Sequence, residues 1–239
     1  MPIPIIYEDN HLLIVEKPIN MPVQEDASGD LDLLSALKAF IKERDHKPGN
    51  VYLALLHRLD RPVGGVMVFG KTSKAASRLS DDFRRHRVKR DYLAVVQDQN
   101  LTLKDQETWT DYLYKNRKKN KVSVVNKKDK RGKKAVLDYQ LLEHSNQVAL
   151  VRVRLHTGRS HQIRVQFQSR QHPLWGDQKY GQKYSHKGQQ IALWAQHLSL
   201  IHPTKKETMT FTSTPPLNKQ PWNLFKDQFT TGEDWYFMT

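Results

Sequence analysis

Residues Leu55–Lys71 read LLHRLDRPVGGVMVFGK. Apolar residues on either side of this run predict two buried strands, and the chain must turn between them. Pro62, Gly64 and Gly65 are enough for a turn. His57, Arg58, Asp60 and Arg61 are not needed for one. A nucleophilic carboxylate must stay ionised, and a neighbouring arginine favours that form. It must also be rigidly placed, which a loop between two strands achieves. Gly64 and Gly65 allow a backbone or ligand to come close. A lone loop aspartate equally serves as a cap or as the ion-pair partner of Arg58 or Arg61, so the loop alone leaves both readings open.

Upstream, Ile3–Glu16 predicts two strands around the turn signal Asp9-Asn10, ended by Lys17-Pro18. From Leu31 the period changes: Leu33, Leu34, Leu37, Phe40 and Ile41 fall on one face of a helix, with Ser28 or Asp30 as the expected cap. Val51–Leu56 is expected to be a strand, and Val66–Phe69 another. Thr72 or Ser73 then caps a second helix, whose last turn is rich in cations, as suits a C-terminus. Strands are expected at Tyr92–Val96, Trp109–Tyr114, Ala135–Leu142, Val148–Leu155, Ile191–Ile201 and Thr208–Phe211. A helix is expected over Ser160–Ser169, started by Thr157-Gly158 or Ser160. Strands dominate and do not alternate with helices, which argues for an α+β fold around a mixed, largely antiparallel central sheet with flanking helices and a cleft. No repeat or flexible linker appears, so residues 1–239 read as one catalytic domain, at most with two lobes.

The 239-residue chain is long enough for a large core. It has no cysteine, which excludes disulfides, thiolate metal sites and cysteine nucleophiles. No apolar run reaches the ~18 residues of a membrane span, and the N-terminus lacks the pattern of a secretory signal. A cytoplasmic protein without membrane contact is therefore expected. Lys and Arg number 39 against 25 Asp and Glu, a formal net charge of +14. Such a field attracts polyanions, nucleic acid above all. Lys115–Lys134 alone carries eleven Lys or Arg and one acid, a net of +10. Val122–Val125 alternates at its centre, which predicts a two-stranded basic arm for phosphate; a merely solvated loop is the plainer alternative.

A second cluster, Leu155–Phe167, reads LHTGRSHQIRVQF and offers Arg159, His161 and Arg164. In a helix His161 and Arg164 share a face. The eleven histidines show no ligand spacing for a metal.

Taken together, these motifs resemble the RluA-type pseudouridine synthases, which isomerise uridine in ribosomal or transfer RNA. The hallmark is His57-Arg58-Leu59-Asp60, then Gly65 and Val68-Phe69-Gly70-Lys71-Thr72. Ile6–Asp9 with Val15–Pro18, Tyr92–Val96, Gly132–Ala135, Thr157–Arg164 and His172–Asp177 follow in the family's order, along nearly the whole chain. The resemblance implies the pseudouridine synthase fold, no cofactor or metal, RNA as partner and a monomer. It makes Asp60 the catalytic aspartate and Tyr92 the tyrosine lying against the target base. Arg164 matches the arginine that pairs with the aspartate. Arg58 matches an arginine that fills the space a flipped base leaves in the RNA. Arg90 stands where the family often has lysine, and Lys115, Arg117, Lys118, Lys119 and Lys133 are expected to hold RNA phosphates. Ile163 or Leu59 would form apolar walls.

The sequence departs from the pattern at Pro62-Val63-Gly64, Gln166 and Trp194, none of which removes a group the chemistry requires. An S4-like RNA-binding domain is not expected before Ile5. The rival reading is a non-catalytic RNA-binding or ribosome-assembly protein on the same fold. It does not explain why Asp60, Tyr92 and Arg164 occur together.

Overall fold

The computed structural model describes residues 3–229, which fold as α+β with two compact units. The first comprises residues up to Arg90 together with Ala195–Thr214. Its hairpin of β1 (Ile5–Glu8) and β2 (Leu12–Lys17) turns at Asp9, whose carboxylate accepts the His11 and Leu12 N–H groups. Helix α1 (Leu33–Arg44) buries Leu33, Leu37 and Ile41. The expected caps are displaced: Asp32 caps α1 by accepting the Ser35 N–H at 3.0 Å, while Asp30 pairs with Arg61. Phe40 faces out, beneath the Arg44 guanidinium.

The strand expected over Val51–Leu56 shrinks to β3 (Ala54–Leu55), which pairs only with Gly70 and Phe69 of β4 (Gly64–Gly70). The reason is topological. β4 lies between β2 and β10, so only its end offers an edge to β3. Thr72 caps α2 (Ser73–Arg84) as expected, accepting the Ala75 N–H. From Ala195 onward, strand β10 (Leu193–Ile201) belongs to this unit and pairs antiparallel with β11 (Thr208–Thr212). The core joins Leu12, Ile14, Val66, Val68, Leu79 and Phe211.

The second unit holds an antiparallel array. Its order is β5 (Lys89–Gln97), β9 (Val148–Leu155), β8 (Lys133–Ser145), β6 (Gln106–Asn116) and β7 (Lys121–Val125). One face carries the ring cluster Trp109, Tyr139 and Phe167, with centroids 4.6–5.6 Å apart. Phe167 comes from α3 (Gln162–Gln168). The helix begins later than expected, without a side-chain cap at His161, which takes φ 51°. The Gln162 amide instead fastens the loop that precedes the helix. It accepts from the Thr157 hydroxyl and the Arg159 N–H and donates to the Val136 carbonyl.

Candidate functional site

In the first unit the site begins where β2 and β4 run together, with Lys17 opposite Gly65. Gly65 has φ 115°, and a Cβ there would lie 2.2 Å from the Ala195 carbonyl oxygen, so β4 requires glycine at this point. The Asp60 loop leads into this strand. Leu59 and Val63 are buried, and the Val63 N–H closes a turn on the Asp60 carbonyl at 2.9 Å. Asp60 itself is half-buried.

His57 is an anchor of this loop. Its ring stacks on Phe83 of α2, with centroids 5.0 Å apart, and its Nε2 accepts the Val68 N–H. Burial, aided by the charge of Arg90, pushes the imidazole down to about 3, so it is neutral. Because Nε2 accepts, the proton sits on Nδ1. Arg61 is fastened as well, but not as the sequence suggested. Its guanidinium reaches Ser28 at 2.9 Å, the Asn20 carbonyl, Asp30 and Asp26.

Sequence reasoning missed the residue beneath the loop. Lys17 is fully buried, and its Nζ donates to the carbonyls of Pro18 (2.8 Å), Arg61 (3.0 Å) and Val63 (2.8 Å). Two of the three acceptors flank Pro62 in the turn that follows Asp60. Burial pulls this ammonium down to about 7, while the negative charge of Asp60 acts the other way and the positive charge of Arg61 adds to the fall. The three carbonyls match the three donors of an ammonium. A lysine after a strand and before proline was legible only as a strand end.

Tyr92 and Arg164 belong to the second unit. Tyr92 sits on β5 opposite Val153 of β9 and is 6% exposed. Arg164, on α3, is also buried. Its Nε and Nη2 form a fork, each 2.8 Å from a different oxygen of Asp177, which is 1% exposed. The motif containing Asp177 was visible in sequence, but its role as holder of this arginine was not. Asp177 Oδ1 also accepts the Lys179 and Tyr180 N–H groups. His161 and Arg164 are joined through Tyr180: His161 Nδ1 meets the hydroxyl at 2.6 Å, and the guanidinium carbon lies 5.2 Å from the ring centre.

The basic segment forms the two-stranded arm expected of it, Lys115 facing Val122 across β6 and β7. Lys118 and Lys119 are exposed at its turn, Arg117 and Lys133 are exposed nearby, and Lys115 donates to Ser160. Arg58 is exposed on the Asp60 loop. Arg90, in the first unit, differs from these cations: its guanidinium packs over Phe83 at 5.5 Å, and its Nε is buried with no hydrogen-bond partner among the described residues.

The sequence profile of the RNA pseudouridylate synthase family matches residues 11–169, from the β1–β2 turn to the end of α3. The chain belongs to this family.

An RNA pseudouridine synthase of Aquifex aeolicus, itself uncharacterised, is 34% identical over 90% of this chain and 70% of its own. A ribosomal large subunit pseudouridine synthase D of Zymomonas mobilis is 33% identical over 92% and 71%. A tRNA pseudouridine synthase C of Haemophilus influenzae is 30% identical over 94% and 97%. The fold agrees with that of human RNA pseudouridylate synthase domain containing 4, at a TM-score of 0.74 over 92% of this chain and 90% of that one, with 22% identity. As an RNA pseudouridine synthase the protein takes RNA as its substrate. Among the described residues no helix is long and apolar enough to cross a membrane.

Proposed function

We propose that this pseudouridine synthase isomerises a specific uridine in ribosomal or transfer RNA, with Asp60 as the catalytic carboxylate. The observation that carries the reading is the anchoring of the Asp60 loop. His57, Leu59, Arg61 and Val63 are each fastened by burial or hydrogen bonds, and a buried ammonium grips the backbone on both sides of Pro62. Such an arrangement presents one carboxylate at low reorganisation cost, as covalent or proton-transfer chemistry requires.

The reaction breaks the N1–C1′ bond, turns the uracil and joins C5 to C1′. The C5 proton leaves and N1 gains one, so there is no net redox change. Attack at C1′ and glycal formation both call for an anionic, positioned oxygen, which Asp60 supplies. In this reading Tyr92 takes the place against the base, and Arg164, held by Asp177, is the arginine of the reaction. Extruding the base from its stack costs a few kcal/mol, and contact with an aromatic ring offsets about 1–3 kcal/mol of this. Arg58 occupies the space the base leaves. Arg90, with Lys115, Arg117, Lys118, Lys119 and Lys133, binds phosphate without reading sequence.

The test is release of tritium from C5-labelled uridine in unmodified ribosomal and transfer RNA transcripts, under single-turnover conditions, beside filter binding. Asp60→Asn keeps the side-chain size and removes the anion. Release is expected to fall to background with RNA binding retained. Near-normal release by the variant removes Asp60 from the mechanism. Binding without release by the wild-type protein favours the non-catalytic RNA-binding reading.

A further inference from the structure

The short segment from Asp177 to Tyr180 faces two ways. On one side it holds Arg164. The Asp177 carboxylate takes the guanidinium fork and is itself oriented by the N–H groups of Lys179 and Tyr180. The Tyr180 ring lies against the same guanidinium. On the other side the segment holds the basic hairpin. Lys179 Nζ donates to the Asn120 carbonyl in the hairpin turn at 2.8 Å, and the Val122 N–H donates to the Tyr180 hydroxyl at 2.9 Å. Tyr180 also packs with Leu113, Val122, Ala135 and Val165. These residues come from the hairpin strands, from β8 and from α3.

The Tyr180 hydroxyl stands between the hairpin and the start of α3. Its oxygen accepts the Val122 N–H, and the hydroxyl shares a second hydrogen bond, 2.6 Å long, with His161 Nδ1, its direction set by the imidazole tautomer. That histidine stands immediately before α3, in the left-handed conformation. β7 is the last strand in the unit's order, so the Val122 N–H lies on its outer edge. A phenylalanine at position 180 would fill the same apolar cluster. It would leave the Val122 N–H and His161 Nδ1 to water. The hydroxyl therefore adds a tie between hairpin and helix that packing alone does not supply.

We propose that Tyr180 is a positioning residue coupling RNA contact on the basic hairpin to the setting of Arg164. The proposal deepens the reading given under Proposed function, on which it rests. Phosphates gripped by Lys118 and Lys119 pull on the hairpin turn. The turn is tied to Lys179 and its outgoing strand to Tyr180, and both residues are joined through Asp177 to the arginine. Coupling between two sites is reciprocal. The state of Arg164 is thus expected to report on RNA at the hairpin.

The experiment uses the full chain with Tyr180→Phe, the pair Lys118→Gln with Lys119→Gln, and all three substitutions together. The Nε–H resonance of Arg164 is followed in arginine-labelled protein and assigned by its loss in Arg164→Lys. The probe is a short RNA hairpin transcript with a uridine in its loop. In the wild type the resonance is expected to shift on saturation with this RNA. In Tyr180→Phe the RNA still binds and the shift is lost. In single-turnover tritium release at saturating enzyme, Tyr180→Phe and the lysine pair should each slow the wild type about tenfold. Together they should be no slower than the worse of the two, the non-additivity expected of one network. Equal resonance shifts in wild type and Tyr180→Phe, or slow-downs that multiply, overturn the coupling. Should Tyr180→Phe fail to fold, Lys179→Met severs the other tie from a partly exposed side chain and must reduce the shift in the same direction. If the wild type releases no tritium, the proposed reaction fails while the resonance still decides the coupling. If it does not bind the RNA, both fall.

Discussion

Lys17 sets the local mechanics of the Asp60 loop. Its ammonium donates to three backbone carbonyls, and the side chain is wholly removed from water. Replacing it with methionine is expected to cost about 2–4 kcal/mol near neutral pH, because those carbonyls lose a charged donor. The same burial makes stability depend on pH. Lys17 is depressed from 10.5 to about 7 in the folded chain. Below about 7 both states carry the proton and folding bears the full cost of burying a charge. Between about 7 and 10.5 the unfolded chain holds more protons, so stability rises with pH. Denaturant unfolding of wild type and Lys17→Met across this range should show the difference moving in favour of the wild type by up to about 1.4 kcal/mol per pH unit. Parallel pH curves would remove the depressed lysine from the account. Asp60 was legible at this scale because its neighbours in the chain are unusual for a turn. Lys17 was not, because its acceptors Arg61 and Val63 lie 44 and 46 residues away.

At the scale of elements, period and composition located nearly every strand and helix, and errors fell at their ends. Helix α1 shows why. Ser28, Asp30 and Asp32 are all suitable caps by chemistry, and only Asp32 is buried against the helix start, 4% exposed. Ser28 and Asp30 are drawn off by Arg61. Asp32→Ala is therefore expected to lower stability by about 1 kcal/mol. Asp30→Ala, which removes an exposed ion pair, should change it by less than about 0.5 kcal/mol in thermal or denaturant unfolding. Comparable losses in the two variants would contradict this assignment of the cap. The start of α3 differs for a related reason: it has no side-chain cap, and Gln162, its first residue, reaches back to fasten the preceding loop at Thr157 and Arg159.

For the whole molecule the dominant quantity is charge. Of the net +14, the segment Lys115–Lys134 holds +10, and the hairpin displays much of it on exposed side chains. RNA affinity should therefore fall steeply with salt. Lys118, Lys119, Lys127 and Lys128 are exposed at the two turns of the arm. Changing all four to glutamine should weaken binding to all RNA sequences alike. It should also flatten the log–log salt dependence by about 0.7 for each single-strand phosphate that is no longer neutralised. Titrations over a sodium chloride series measure this slope. A slope equal to that of the wild type would mean that these lysines are only solvated.

The sequence by itself determined the α+β class, the basic hairpin, the family and the candidate aspartate, tyrosine and arginine. These are properties of short windows: alternation, caps, a charge run, and motifs in which the informative residues are adjacent. Tertiary structure alone decided what holds those groups. It put Lys17 under the Asp60 loop, Asp177 on Arg164, and the Tyr180 hydroxyl on a hairpin amide 58 residues earlier in the chain. It also turned Arg61 away toward Asp26 and Asp30. The physical reason is that a buried donor or charge must find a partner wherever packing places one. Local residue chemistry states that the partner is needed, and only the folded chain selects which residue it is.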